Sequence, residues 1–178
     1  MTYVFLADGF EEIEALAVVD ILRRCKIAVE TVSITDKKQV TGAHGISVIA
    51  DTVLSAADMD KANALILPGG LPGADNLQAC APLAEALCKA DRENRIVAAI
   101  CAAPKVLGAL GITKGKRATC YPGYEQTLSG AVVVAEKVAW DGHVITSRGA
   151  GTASDFAFCL AEALGVDPAS VRQGMQFD

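Results

Sequence analysis

Residues 95–104 read Arg95-Ile96-Val97-Ala98-Ala99-Ile100-Cys101-Ala102-Ala103-Pro104, and their reading decides the fold. After Arg95, the five residues Ile96–Ile100 form a short apolar run of the kind found in strands buried on both faces. The rest open a helical pattern. Pro104 suits a first helical turn, where its missing N–H has no helical partner to lose. No Gly or Asn separates strand from helix, so the chain must turn at Cys101 itself. This is the geometry of a nucleophile elbow, and Ala99, Ala102 and Ala103 supply the small neighbours it needs. A thiol there gains the helix dipole and nearby N–H donors, which predict a pKa below the free value of about 8.5. The plainer reading is a small buried cysteine in an apolar strand; the elbow weighs against it.

Outward from this stretch, short apolar runs alternate with longer helical patterns. The spacing predicts strands at 3–7, 29–34, 46–50, 64–67, 96–100, 117–120, 132–138 and 143–147, and helices at 11–25, 82–94, 102–110 and 152–164. Alternation of this sort predicts an α/β fold: a mostly parallel sheet with helices on both faces, in one domain spanning 1–178. Open sheets of this type bind ligands beyond the C-terminal ends of their strands.

Two more strand ends therefore matter. The first strand runs through Ala7-Asp8-Gly9 into a helix whose opening holds Glu11, Glu12 and Glu14. Glu11 and Glu12 read as ordinary partners of the helix dipole. Glu14 falls beside the apolar stripe of Ile13, Leu16, Ala17 and Ile21, so its carboxyl is expected to be desolvated and its pKa raised. Val18, Val19 and Leu22 lie off that stripe, which suits a well-covered core helix or a subunit interface. A later strand ends in Pro68-Gly69-Gly70, where two glycines let the backbone approach a ligand and free N–H groups for an anion. A flexible turn would use the same residues.

Composition narrows the classes. The chain has 178 residues, 52% apolar and 21% charged, with a net charge of −5. Lys and Arg are scattered, which argues against nucleic acid as a partner. No apolar run approaches the roughly 20 residues of a membrane span. The N-terminus reads as a first strand rather than an export signal, so a cytoplasmic location is expected. The six cysteines form no C-x-x-C pair and the two histidines are not spaced for zinc, so no metal is expected. His44 either lines a pocket or caps a turn, and the turn is the simpler assignment. His143 opens a strand and reads as structural.

Three segments, GFEEIEA at 9–15, LPGG at 67–70 and AAICAAP at 98–104, resemble the ThiJ/PfpI superfamily, in the branch of the parkinsonism-associated deglycase and its bacterial relatives. TSRGAGTASDFAF at 146–158 resembles that family's late strand-to-helix segment. The resemblance implies a flavodoxin-like sandwich that forms a homodimer. It places the family's nucleophile at Cys101, and its cysteine-contacting glutamate, held protonated, at Glu14. The oxyanion and substrate positions fall at Gly69, Gly70, Ala102, Tyr121 and His44. Tyr121 stands where some members carry a histidine, and His44 where relatives often carry an arginine. Ala102 follows the cysteine where the protease-like branch has His and the isocyanide hydratase branch has Thr, which disfavours proteolysis. The activity implied is of glyoxalase III or deglycase type, on methylglyoxal, glyoxal or their adducts, without any cofactor. The alternative is a redox-sensing or chaperone-like protein whose Cys101 is oxidised to sulfinate.

Overall fold

The structure, a computed structural model, describes residues 1–177. In chain order the elements are β1 (Thr2–Leu6), α1 (Glu12–Arg24), β2 (Val29–Ser33), β3 (Gln39–Thr41), β4 (Ser47–Ile49), β5 (Thr52–Val53) and β6 (Ala64–Leu67). There follow α2 (Gly73–Ala79), α3 (Ala81–Arg92), β7 (Ile96–Ile100), α4 (Pro104–Ala109), β8 (Arg117–Ala118) and β9 (Val132–Val133). The chain ends with β10 (Val138–Asp141), β11 (Val144–Ser147), α5 (Ala153–Ala163) and α6 (Ala169–Gly174).

Seven strands form the central sheet in the order β10-β11-β7-β6-β1-β2-β5. All neighbours are parallel except β10 and β11. This is the flavodoxin-like, doubly wound arrangement expected. Strand alternation splits the core in two. Val4, Leu6, Ile66, Ala98 and Ile100 face α1 and α5, while Phe5, Leu65, Leu67, Val97 and Ala99 face α2, α3 and α4. The winding reverses between β1 and β6, and a crevice opens there at the carboxyl ends of the strands. Glu14 follows β1, Gly69 and Gly70 follow β6, and Cys101 follows β7, so all four meet at one edge of the sheet.

The structure corrects several boundaries. The apolar run 46–50 is not a central strand. Its middle, β4, pairs antiparallel with β3 in a separate hairpin, leaving Ile46 and Ile49 exposed. The run 117–120 shortens to β8, which pairs with β9 outside the main sheet. The run 132–138 divides between β9 and β10. The segment after Gly70 continues into helix α2, whose opening at Pro72-Gly73 hides it from pattern reading. The apolar stripe of α1 is also displaced. Ile13 and Leu16 are exposed, and the buried face is Glu14, Ala15, Val18, Val19, Ile21 and Leu22. A stripe shifted around the helix explains why Val18, Val19 and Leu22 seemed surplus to the first one.

Candidate active site

Strand β7 delivers Cys101 to the crevice, and the next residues turn into α4. Cys101 sits at φ +65°, in the left-handed region that a non-glycine residue seldom occupies. Its backbone is held on both sides: its N–H donates to the Ser147 carbonyl at 3.0 Å, and its carbonyl accepts from the Tyr121 N–H at 2.8 Å. The elbow is thus clamped between β11 and the loop after β8. The N–H groups of Gly70 and Ala102 lie near its sulfur and favour its thiolate form.

Glu14 reaches the same point from the first turn of α1. It is 1% exposed, and its Oε2 accepts the Gly69 N–H at 2.8 Å. Its carboxyl lies within hydrogen-bonding reach of the Cys101 thiol. Gly69 has to be glycine, because a Cβ there would stand 2.6 Å from the Cys101 Cβ and 2.7 Å from Glu14 Oε2. Gly70 sits at φ +87°, the conformation that turns its N–H toward the sulfur.

Burial pushes the Glu14 carboxyl up to about 7, against the lowering effect of its bonds with Cys101 and the Gly69 N–H. Burial and the Glu14 charge push the Cys101 thiol up to about 12, against the pull of the Gly70 and Ala102 N–H groups. The lowered thiol pKa expected from the helix terminus is therefore overturned: desolvation and a neighbouring carboxylate outweigh the donors. The two groups titrate as a pair, which gives up one proton near 7 and retains the second up to about 12. Above about 7 the pair holds one proton and one negative charge, and below it the pair is neutral.

The other carboxylates of this turn face elsewhere. Glu12 is buried, with Oε1 accepting the His44 N–H at 2.8 Å and the Ile46 N–H at 3.4 Å, and Oε2 at 2.9 Å from His44 Nδ1. Burial opposes its ionisation, yet the bonds from the His44 ring and the backbone N–H groups hold its carboxyl below the usual 4.5. The His44 ring also lies 3.4 Å from Glu11 Oε2. His44 therefore closes the turn between β3 and β4 onto α1 rather than lying against Cys101. Glu11, Glu12 and His44 form the one group among the described residues whose donor set could hold a metal ion, and mutual hydrogen bonds already engage its atoms.

Tyr121 is half exposed beside the elbow, with its ring over Gly149. A Cβ on Gly149 would lie 3.4 Å from that ring and 3.9 Å from Glu14 Oε1, so its absence keeps the crevice open between them. Gly149 and Arg148 were not singled out in the sequence. The available signal was a G-x-G at 149–151, one residue after a strand that ends at the same sheet edge.

The whole chain overlays the solved structure of Drosophila melanogaster DJ-1beta with a TM-score of 0.95, at 34% identity over 100% of both chains. Among curated proteins it is 40% identical over 161 residues to Protein DJ-1 homolog B of Arabidopsis thaliana, covering 89% of this chain and 37% of that one. The chain thus spans well under half the length of that relative. It is 32% identical to the glutathione-independent glyoxalase DJR-1.2 of Caenorhabditis elegans, covering 86% of this chain and 82% of that one. No helix among the described residues is long and apolar enough to cross a membrane. The DJ-1/PfpI family pattern matches residues 2–163, and this chain belongs to the DJ-1/PfpI family.

Proposed function

We propose that this protein is a cysteine-dependent, cofactor-free enzyme of glyoxalase III or deglycase type, acting on methylglyoxal, glyoxal or their adducts. The observation that carries the reading is the Glu14 carboxyl, buried beside the Cys101 thiol and pushed up to about 7 by that burial. A general acid-base works best when its pKa lies near the working pH. Sγ adds to the aldehyde carbon, and the carbonyl oxygen takes up a proton to give a hemithioacetal. The Gly70 and Ala102 N–H groups steady the developing oxyanion. Glu14 then removes the proton on the former aldehyde carbon and returns one to the neighbouring carbon. The first carbon becomes a thioester as the second is reduced to an alcohol. Water cleaves the thioester, releasing a 2-hydroxy acid and the free thiol; the net change is addition of one water. The glyoxalase named among the relatives supports this direction.

The test is lactate formation from methylglyoxal by purified protein, with trace metals chelated. Turnover is expected for the wild type and not for Cys101→Ser; equal turnover by both would overturn the mechanism. The quaternary proposal is a homodimer. Its support is the exposure of Ile13 at 58% and Leu16 at 39% on α1, beside the exposed Ile46 of the hairpin that α1 holds. Sedimentation of the protein and of Ile13→Glu distinguishes dimer from monomer.

A further inference from the structure

We infer that Arg148 is the specificity-determining residue of this site, and that it selects aldehyde substrates carrying a second, anionic group a few bonds from the reacting carbonyl. The inference deepens the reading of Cys101 as the aldehyde-binding thiol and rests on it. Parallel pairing aligns Ile100 with Ser147, so Cys101 and Arg148 are the next residues in register as both strands leave the sheet. Adjacent strands run about 4.8 Å apart, within easy reach of an arginine side chain.

Arg148 lines two neighbouring cavities. One of about 430 Å³ is bounded by Tyr121, Lys137 and residues 149–152; a smaller one of about 160 Å³ holds Cys120 and Glu125. The larger cavity shares Tyr121 and Gly149 with the elbow: the Tyr121 N–H is bonded to the Cys101 carbonyl, and a Cβ on Gly149 would lie 3.9 Å from Glu14 Oε1. A substrate attached to Cys101 would extend along Tyr121 and Gly149 toward the guanidinium.

The charges around that space favour an anion. Among the described residues Arg148 makes no ion pair, and its one protein bond is a long donation to the Ala135 carbonyl at 3.4 Å. Lys137 is paired with Asp155 at 3.1 Å, and the Glu125 carboxylate accepts the Gly123 N–H at 2.8 Å. Arg148 is thus the cation left with its bidentate donors unused, and those donors match a carboxylate or phosphate. Methylglyoxal has no such group, so an aldehyde with a carboxylate a few bonds away uses the site more fully.

The test needs only reversible addition of Sγ to an aldehyde, not complete turnover. Cys101 is alkylated with iodoacetamide in the presence of 4-oxobutanoate or its neutral methyl ester, and the protecting concentrations are compared. In the wild type the carboxylate is expected to protect roughly tenfold better than the ester. That preference is expected to vanish in Arg148→Gln and to return in part in Arg148→Lys, with protection by the ester unchanged throughout. Equal protection by both compounds in the wild type, or a preference that survives Arg148→Gln, overturns the inference and leaves the thiol chemistry standing. If neither compound protects Cys101, the proposed aldehyde addition fails and this inference fails with it.

Discussion

Glu12 and Glu14 leave the same turn of α1, two residues apart, and both are buried, yet their ionisation is driven in opposite directions. Glu12 faces the β3–β4 turn, where two backbone N–H groups and an imidazole converge on it. Glu14 faces the elbow, where it receives one N–H and shares a proton with a thiol. Each abuts a glycine that a Cβ would force against it, Gly42 for Glu12 and Gly69 for Glu14. Both are covered from solvent, but Glu14 lies much deeper, so desolvation dominates there, while at Glu12 the imidazole and backbone donors together outweigh it. One carboxylate is committed to holding a loop. The other stays exchangeable near neutrality, which is what a proton-transfer group requires.

The sharpest way to break this contrast is to neutralise each carboxylate in turn. Glu14→Gln is expected to lower kcat/KM for methylglyoxal by roughly a hundred- to ten-thousandfold. Glu12→Gln is expected to leave it within a few-fold while costing about 1 kcal/mol of stability through its stranded donors. Comparable losses of activity from the two would mean that Glu14 has no special chemical role. The pH dependence of Cys101 alkylation sharpens the same point. A coupled pair predicts two steps in the wild type, one near 7 and one approaching 12, because the first proton leaves the pair and the second leaves against its charge. Glu14→Gln removes that charge, so a single step below the upper wild-type value is expected. A single unchanged step in both proteins would sever the coupling.

The two glycines come next in size. A Cβ at Gly69 meets the Cys101 Cβ, Glu14 Oε2 and the Ile100 carbonyl at 2.6 to 2.9 Å, two of them parts that cannot swing away. Gly69→Ala is expected to cost about 1–3 kcal/mol and to separate the catalytic pair, with at least a tenfold loss of turnover. At Gly42 the Cβ meets only the Glu12 side chain, whose far end can move. Gly42→Ala is therefore expected to destabilise the hairpin, read by thermal melting, and to spare turnover. If Gly42→Ala were the more damaging to activity, the division between the two regions would not hold.

Much of this was legible in the sequence, for identifiable reasons. The elbow could be read because a strand run met a helix start with no turn residue between them. The parallel sheet could be read because its inner strands are buried on both faces and so are uniformly apolar. The burial of Glu14 was read from the wrong stripe: Ile13 and Leu16 are apolar but exposed, and periodicity cannot tell a core face from one left for a partner. The hairpin at 46–50 misled for the same reason, since Ile46 and Ile49 are apolar and open to solvent. The thiol pKa was misjudged because the helix terminus is visible in sequence while the depth of burial and the charge of a residue 87 positions earlier are not. Gly149 was missed because its role is a gap between two side chains brought together only by the fold.

The smallest effect belongs to His44, and it tests whether the Glu12 region is as purely structural as its bonds suggest. The bond to Glu12, with the charges of Glu11 and Glu12, raises the imidazole above 6.5. A group whose folded pKa is raised stabilises the fold fully below 6.5 and loses that contribution as pH climbs through the folded value. Glu12, held below 4.5, stabilises above that value and loses its contribution as pH falls through its own folded pKa. Hairpin anchoring is therefore strongest in the window between, with imidazolium and carboxylate both charged. His44→Arg keeps the positive charge at every relevant pH. Its melting temperature is expected to match the wild type near pH 6 and to exceed it slightly by about pH 9, where the imidazole is neutral. The exposure of the ring keeps the difference small, because solvent and salt screen the pair. Turnover corrected for the Glu14 titration is expected to be the same in both proteins. A turnover profile that followed His44 instead would place this loop in the chemistry and erase the distinction between the two glutamates.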